Sequence, residues 1–199
     1  MIVKVCGMRQ QENLDNVVNL GVDMVGFNFY PSSSRYVVDV VKTPPQTKRV
    51  GVFVNENLDK VFALAESHKL DYIQLHGNET QEYITEVAKS YPVIKAIGIE
   101  DSNDFKMVNE LYDVTYFLLD KKSKLWGGTG KKFQWSLLEN YASEVPFLLA
   151  GGIGPEDVDV VKQMVHPQFM GVDLNSRFES VAAVKDEQEL KKFIKELRS

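Results

Sequence analysis

The chain has 199 residues, 44% of them hydrophobic and 26% charged, and a formal net charge of -5. That length and balance suit one soluble globular domain with a sizeable core. The charge excludes a basic field that would gather nucleic acid, and no apolar run approaches the ~20 residues needed to span a bilayer.

The single cysteine, Cys6, cannot form an intramolecular disulfide, so nothing calls for an oxidising compartment. The opening "MIVKVCG" lacks the basic and long apolar regions of a signal peptide. A cytoplasmic, single-domain protein spanning residues 1–199 is expected, with neither nucleic acid nor membrane as partner.

Short β-branched or apolar runs recur along the chain. They are "IVKVC" (2–6), "DMVGFNF" (23–29), "RVGVFV" (49–54), "YIQLH" (72–76), "VIKAIGI" (93–99), "TYFLLD" (115–120), "PFLLAGG" (146–152) and "QFMGVDL" (168–174). Most are separated by segments with apolar residues at helical spacing. Leu14, Val17 and Val18 make one such set, Leu58, Val61, Phe62 and Ala65 a second, and Leu190, Phe193, Ile194 and Leu197 a third. The second connector is the weakest, because Pro44 and Pro45 cut any helix short.

Eight strands alternating with helices predict a parallel sheet. At about 25 residues per unit, a compact (β/α)₈ barrel is expected. An open doubly wound sheet would carry a glycine-rich nucleotide fingerprint after its first strand, and "CGMRQQ" is not one.

In such a barrel, chemistry belongs at the C-terminal ends of the strands. That rule selects Cys6, Asn28 with Arg35 beyond it, His76, Asp120, the "GGIG" turn at 151–154, and Asp173 with Asn175, Ser176 and Arg177 after it.

Alternation places Ile2, Lys4 and Cys6 on one face of the first strand, with Val3 and Val5 on the other. The valines suit packing against outer helices, so Lys4 and Cys6 face the interior. A lysine there is costly unless a carboxylate pairs with it, and its charge is expected to lower the thiol's pKa. Cys6 as inert core, with Lys4 reaching the lower rim, is the alternative.

Asp120 ends an apolar strand, where a carboxyl can stay protonated and act as a general acid; a capping role is equally open. "LLAGGIGPEDV" closes a strand with two glycines and opens a helix at Gly154 and Pro155, a place where backbone amides can meet a phosphate.

"WGGTGKKF" (126–133) fails the spacing of a nucleotide P-loop and reads as a Gly/Lys-rich lid. Of the three histidines, only His76 falls at a strand end, and no set of residues has metal-site spacing.

Taken in order, "KVCGM" (4–8), "GFNFYPSSSR" (26–35), "VGVFVN" (50–55), "QLHG" (74–77), "LLD" (118–120), "GGTGKKFQW" (127–135), "LAGGI" (149–153) and "GVDLNSRFE" (171–179) resemble the phosphoribosylanthranilate isomerases of tryptophan biosynthesis. The resemblance implies an Amadori rearrangement of phosphoribosylanthranilate, without metal or organic cofactor, by a monomer or homodimer.

It makes Asp120 the general acid and Cys6 the general base, with Arg35 meeting the substrate's carboxylate. His76 and Asp173 would line the site, and the phosphate would sit at Gly151, Gly152, Asn175 and Ser176. The family commonly has "SSG" where this chain has Asn175, Ser176 and Arg177, so a glycine's freedom is lost and Arg177 is expected to add a phosphate contact. Another phosphosugar-processing barrel enzyme, or a non-catalytic phosphosugar-binding barrel, is the competing reading.

Overall fold

In the computed structural model, which describes residues 1–122 and 132–199, eight parallel strands close a barrel in sequence order. They are β1 (Ile2–Cys6), β2 (Met24–Asn28), β3 (Lys48–Phe53), β4 (Tyr72–Leu75), β5 (Val93–Ile99), β6 (Tyr116–Lys121), β7 (Phe147–Leu149) and β8 (Phe169–Leu174). Closure comes from β1 pairing with β8, Lys4 opposite Asp173. The expected barrel is the observed one. Part of the proposed lid, residues 126–131, lies outside the described residues.

The helices are α1 (Gln11–Val18), α2 (Leu58–Ser67), α3 (Gln81–Ala88), α4 (Phe105–Glu110), α5 (Val158–Lys162) and α6 (Glu187–Leu197). The β2–β3 connection runs without a helix among the described residues, as Pro44 and Pro45 require. Between β6 and β7 the described residues form a 3-10 turn, Trp135–Asn140.

Helix starts are built locally. Asn57 accepts from the Asp59 N–H, Thr80 from the Tyr83 N–H, and Asp186 from the N–H groups of Gln188 and Glu189. In α6 the buried residues are Leu190, Phe193, Ile194 and Leu197, the set whose spacing predicted the helix.

Strand alternation sorts the apolar residues into two cores. Val3, Val5, Val25, Phe27, Leu119 and Leu149 join the layer between barrel and helices. Met24, Val50, Ile94, Ala96, Leu118, Leu148 and Ala150 fill the barrel interior, with Ile2, Tyr72 and Tyr116 packed against them. Each fully buried Val, Leu, Ile or Phe contributes about 1.5–3 kcal/mol. The apolar interior is a floor; the polar residues stand above it.

Beyond β8 the chain makes a two-stranded antiparallel hairpin, β9 (Glu179–Val181) and β10 (Val184–Lys185), before α6.

Candidate active site

A cleft at the C-terminal mouth of the barrel is lined by Cys6, Arg35, His76, Asp120, the Gly151–Gly152 turn, and Asp173 with the loop after it, while Gly154 lies outside it. Cys6 enters from β1, Arg35 from the β2–β3 connection, His76 from the end of β4 and Asp120 from β6. Gly151 and Gly152 follow β7, Asp173 lies on β8, and Asn175, Ser176 and Arg177 follow it.

At the centre, Lys4 is fully buried and donates to Asp173 Oδ2 at 2.8 Å. The carboxylate that the sequence demanded is therefore supplied by the neighbouring strand. The other Asp173 oxygen, Oδ1, is buried without a partner among the described residues.

Lys4 pulls the Cys6 pKa down, as expected, yet the thiol is held above its ordinary value. Burial is the largest cause and Asp173 adds to it; Lys4 and Lys185 oppose both and lose. Cys6 rests as a thiol chiefly because it is buried, with the Asp173 charge adding to that.

Across the cleft, Asp120 Oδ1 accepts the N–H of Lys121 at 2.7 Å, and Oδ2 lies 3.6 Å from His76 Nε2. The His76 ring is held from behind by Gln74, whose amide nitrogen is 3.0 Å from Nδ1. Gln74 is buried and shares the inward face of the β4 run with His76. The other two histidines are structural: His68 stacks on Phe29, and His166 meets Phe147 edge-on.

The turn after β7 owes its shape to two glycines with φ of 77° and 75°, Gly151 and Gly152. No backbone hydrogen bond among the described residues uses the N–H of Gly151, Gly152 or Ile153, so these amides can meet an anion. The helix start beyond them differs from expectation. The Gly154 N–H donates to Asp157 Oδ2 at 2.7 Å, so that position is already satisfied by the chain's own carboxylate.

In the last loop Arg177 sits in a 3-10 turn, Ser176–Phe178, without positive φ. The missing glycine therefore costs no backbone strain. The Arg177 guanidinium reaches Glu156 Oε1 at 2.7 Å on the surface beside the glycine turn.

Arg35 reaches the cleft with two of its five N–H donors committed. Its Nε and Nη2 donate to the two oxygens of Glu179 at 2.9 and 2.6 Å. Glu179 and Lys185, which underlie this wall, were not singled out in the sequence. No local pattern marks them, because their partners are distant in the chain.

The family model described as N-(5'phosphoribosyl)anthranilate (PRA) isomerase matches residues 3–196. An N-(5'-phosphoribosyl)anthranilate isomerase of Parabacteroides distasonis is 42% identical, over 99% of this chain and 93% of that protein.

The crystal structure of the Thermotoga maritima phosphoribosyl anthranilate isomerase superposes with a TM-score of 0.86 at 35% identity, over 100% of this chain and 99% of that one. A further isomerase structure, 33% identical with a TM-score of 0.83 over 100% and 99% of the two chains, was determined in complex with reduced 1-(o-carboxyphenylamino)-1-deoxyribulose 5-phosphate. On this match the chain belongs to the N-(5'-phosphoribosyl)anthranilate isomerase family.

Proposed function

We propose that this chain isomerises N-(5'-phosphoribosyl)anthranilate to 1-(2-carboxyphenylamino)-1-deoxyribulose 5-phosphate, with Asp120 as general acid and Cys6 as general base. Asp120 gives a proton to the ribose ring oxygen, and the ring opens to a Schiff base between C1′ and the anthranilate nitrogen. Cys6, after giving up its own proton to solvent, takes the C2′ proton as the thiolate. The resulting enol-amine tautomerises to the ketone: C1′ gains a proton in place of the one lost from C2′, and the enol hydroxyl on C2′ releases one that balances the proton given to the ring oxygen.

The observation that carries this reading is the convergence of Cys6 and Asp120, from strands that are not neighbours, on one cleft that also holds the Gly151–Gly152 turn. A base and an acid must flank the sugar while its phosphate is anchored. Arg35 faces the aromatic carboxylate with the guanidinium edge that Glu179 leaves free. Amides at Gly151, Gly152, Asn175 and Ser176 hold the phosphate, and Arg177 adds a charge at its edge. His76 and Asp173 line the sugar between them.

The steps need no metal or organic cofactor. The cleft is built within one chain, so a monomer or a homodimer can work; a dimeric relative from Thermotoga maritima has been converted to monomers. A phosphorylated substrate and an unpaired cysteine suit the cytoplasm.

The test is a coupled fluorescence assay with phosphoribosylanthranilate generated in situ. The wild type turns over, and Cys6→Ala and Asp120→Asn each lose on the order of 10²–10⁴-fold in kcat with an unchanged far-UV CD spectrum. Near-normal kcat in either variant overturns the role given to that residue.

A further inference from the structure

The β9–β10 hairpin holds a carboxylate more heavily used than any role above requires. Glu179 has a side chain only 5% exposed. It accepts from Arg35 Nε and Nη2, from Lys185 Nζ at 2.6 Å, and from the Ala183 N–H at 3.1 Å. Ala183 takes a φ of 66°, an uncommon conformation for alanine. Lys185 in turn donates from the same ammonium to Asn175 Oδ1 at 2.7 Å. Its side chain is 0% exposed.

The two arms come together beside the first strand. One ends in Arg35, the other in Asn175, and both side chains lie against Gly7. A Cβ on Gly7 would lie 2.5 Å from Arg35 Cδ and 3.0 Å from Asn175 Oδ1. The residue next to Cys6 is thus the floor on which both arms rest, and only glycine leaves room for them.

We propose that Glu179 is a positioning residue, whose one buried carboxylate sets Arg35 for the substrate's aromatic carboxylate and, through Lys185, sets Asn175 for its phosphate. This rests on the substrate assigned in the preceding section. Arg35 presented by a two-point fork is confined to a plane, with its remaining N–H groups aimed outward. An arginine of this length left free would lose rotamer entropy on every binding event.

Burial pulls the Glu179 carboxyl upward, but the hydrogen bonds from Arg35 and the charge of Lys185 outweigh it and hold the group ionised. The Glu179 end needs no proton to work, while burial pulls the Lys185 ammonium below its ordinary value and the charge of Glu179 opposes that.

The experiment measures steady-state kinetics of Glu179→Gln, Arg35→Ala and the double variant, together with binding of inorganic phosphate by titration calorimetry. Glu179→Gln keeps the shape and removes the charge. The expected result is a KM raised about tenfold or more, with kcat within about threefold of wild type and weaker phosphate binding. In the Arg35→Ala background, Glu179→Gln adds little further to KM, because its target is gone.

Glu179→Asp, which keeps the charge one methylene short, recovers part of the loss. If Glu179→Gln lacks a native CD spectrum, Glu179→Asp carries the KM and phosphate measurements in its place. A KM within about twofold of wild type, or effects of Glu179→Gln and Arg35→Ala that simply add, overturns the proposal. A wild type that does not turn over phosphoribosylanthranilate defeats the substrate assignment instead. Phosphate affinity then still reads the arm through Lys185 and Asn175, and equal affinity in wild type and variant overturns the positioning role.

Discussion

Lys4 Nζ donates to Asp173 Oδ2 at 2.8 Å inside the barrel, on the same face of β1 as Cys6 two residues on. The pair is close enough to act as a near-neutral unit, so the thiol above it feels mainly its own burial. Cys6 accordingly titrates above the ordinary cysteine range. Its alkylation by iodoacetamide should be slow at pH 7 and climb with pH as the thiolate forms. Asp173→Asn removes the charge that opposes ionisation and frees Lys4 to favour it, so that variant's rate curve moves to lower pH. Lys4→Met removes the favourable cation and moves the curve to higher pH. Curves that coincide for wild type and Asp173→Asn would show that the pair does not govern the thiol.

The same pair is a stability device of a particular kind. Both groups are desolvated, with side-chain exposures of 0% and 6%, so removing one strands the other. Lys4→Met should cost about 3–5 kcal/mol in urea unfolding, whereas Lys4→Met with Asp173→Leu recovers most of that while remaining inactive. A double variant no more stable than Lys4→Met alone would mean that the two groups contribute through other contacts.

Much of this was legible along the chain, and the exceptions share one physical cause. β-Branched runs marked the strands; "VIKAIGI" coincides with β5, Val93–Ile99. Period-two alternation put Lys4 and Cys6 inward, and desolvation cost demanded a carboxylate for Lys4. What alternation could not supply was the partner, since Asp173 is 169 residues away. The net direction of the Cys6 pKa is set first by burial and then by that same carboxylate, which together outweigh the lysine.

Arg35 and Glu179 are 144 residues apart, and nothing near "RFESV" signals the pairing. A strand end also slipped. The run at 146–152 reads as extended, but β7 stops at Leu149 because Gly151 and Gly152 turn to positive φ.

That turn carries a prediction of its own. A Cβ on Gly151 would lie 2.6 Å from the Lys121 backbone nitrogen and 2.7 Å from Asp120 Oδ1. Gly151→Ala therefore strains its own φ, at about 1–2 kcal/mol, and pushes on the proposed acid. The expected outcome is a fall in kcat larger than the change in KM, alongside a lowered urea midpoint. An alanine variant with wild-type kcat would mean that Asp120 tolerates displacement and is not the group that protonates the ring.

Arg177 stands in the loop after β8, and its guanidinium already meets Glu156 beside the turn at 151–154. The side chains are 45% and 52% exposed, so the pair is solvent-screened and contributes little to folding. A bound phosphate offers more charge than Glu156 and competes for the same donors. Arg177→Ala should leave the urea midpoint in place while raising KM by roughly fivefold, about 1 kcal/mol of binding. It should also weaken competitive inhibition by inorganic phosphate to the same degree. Glu156→Gln acts in the opposite sense, freeing Arg177 and tightening phosphate binding. If Arg177→Ala leaves both KM and phosphate inhibition untouched, the arginine belongs to the surface, and the anion is held by backbone amides alone.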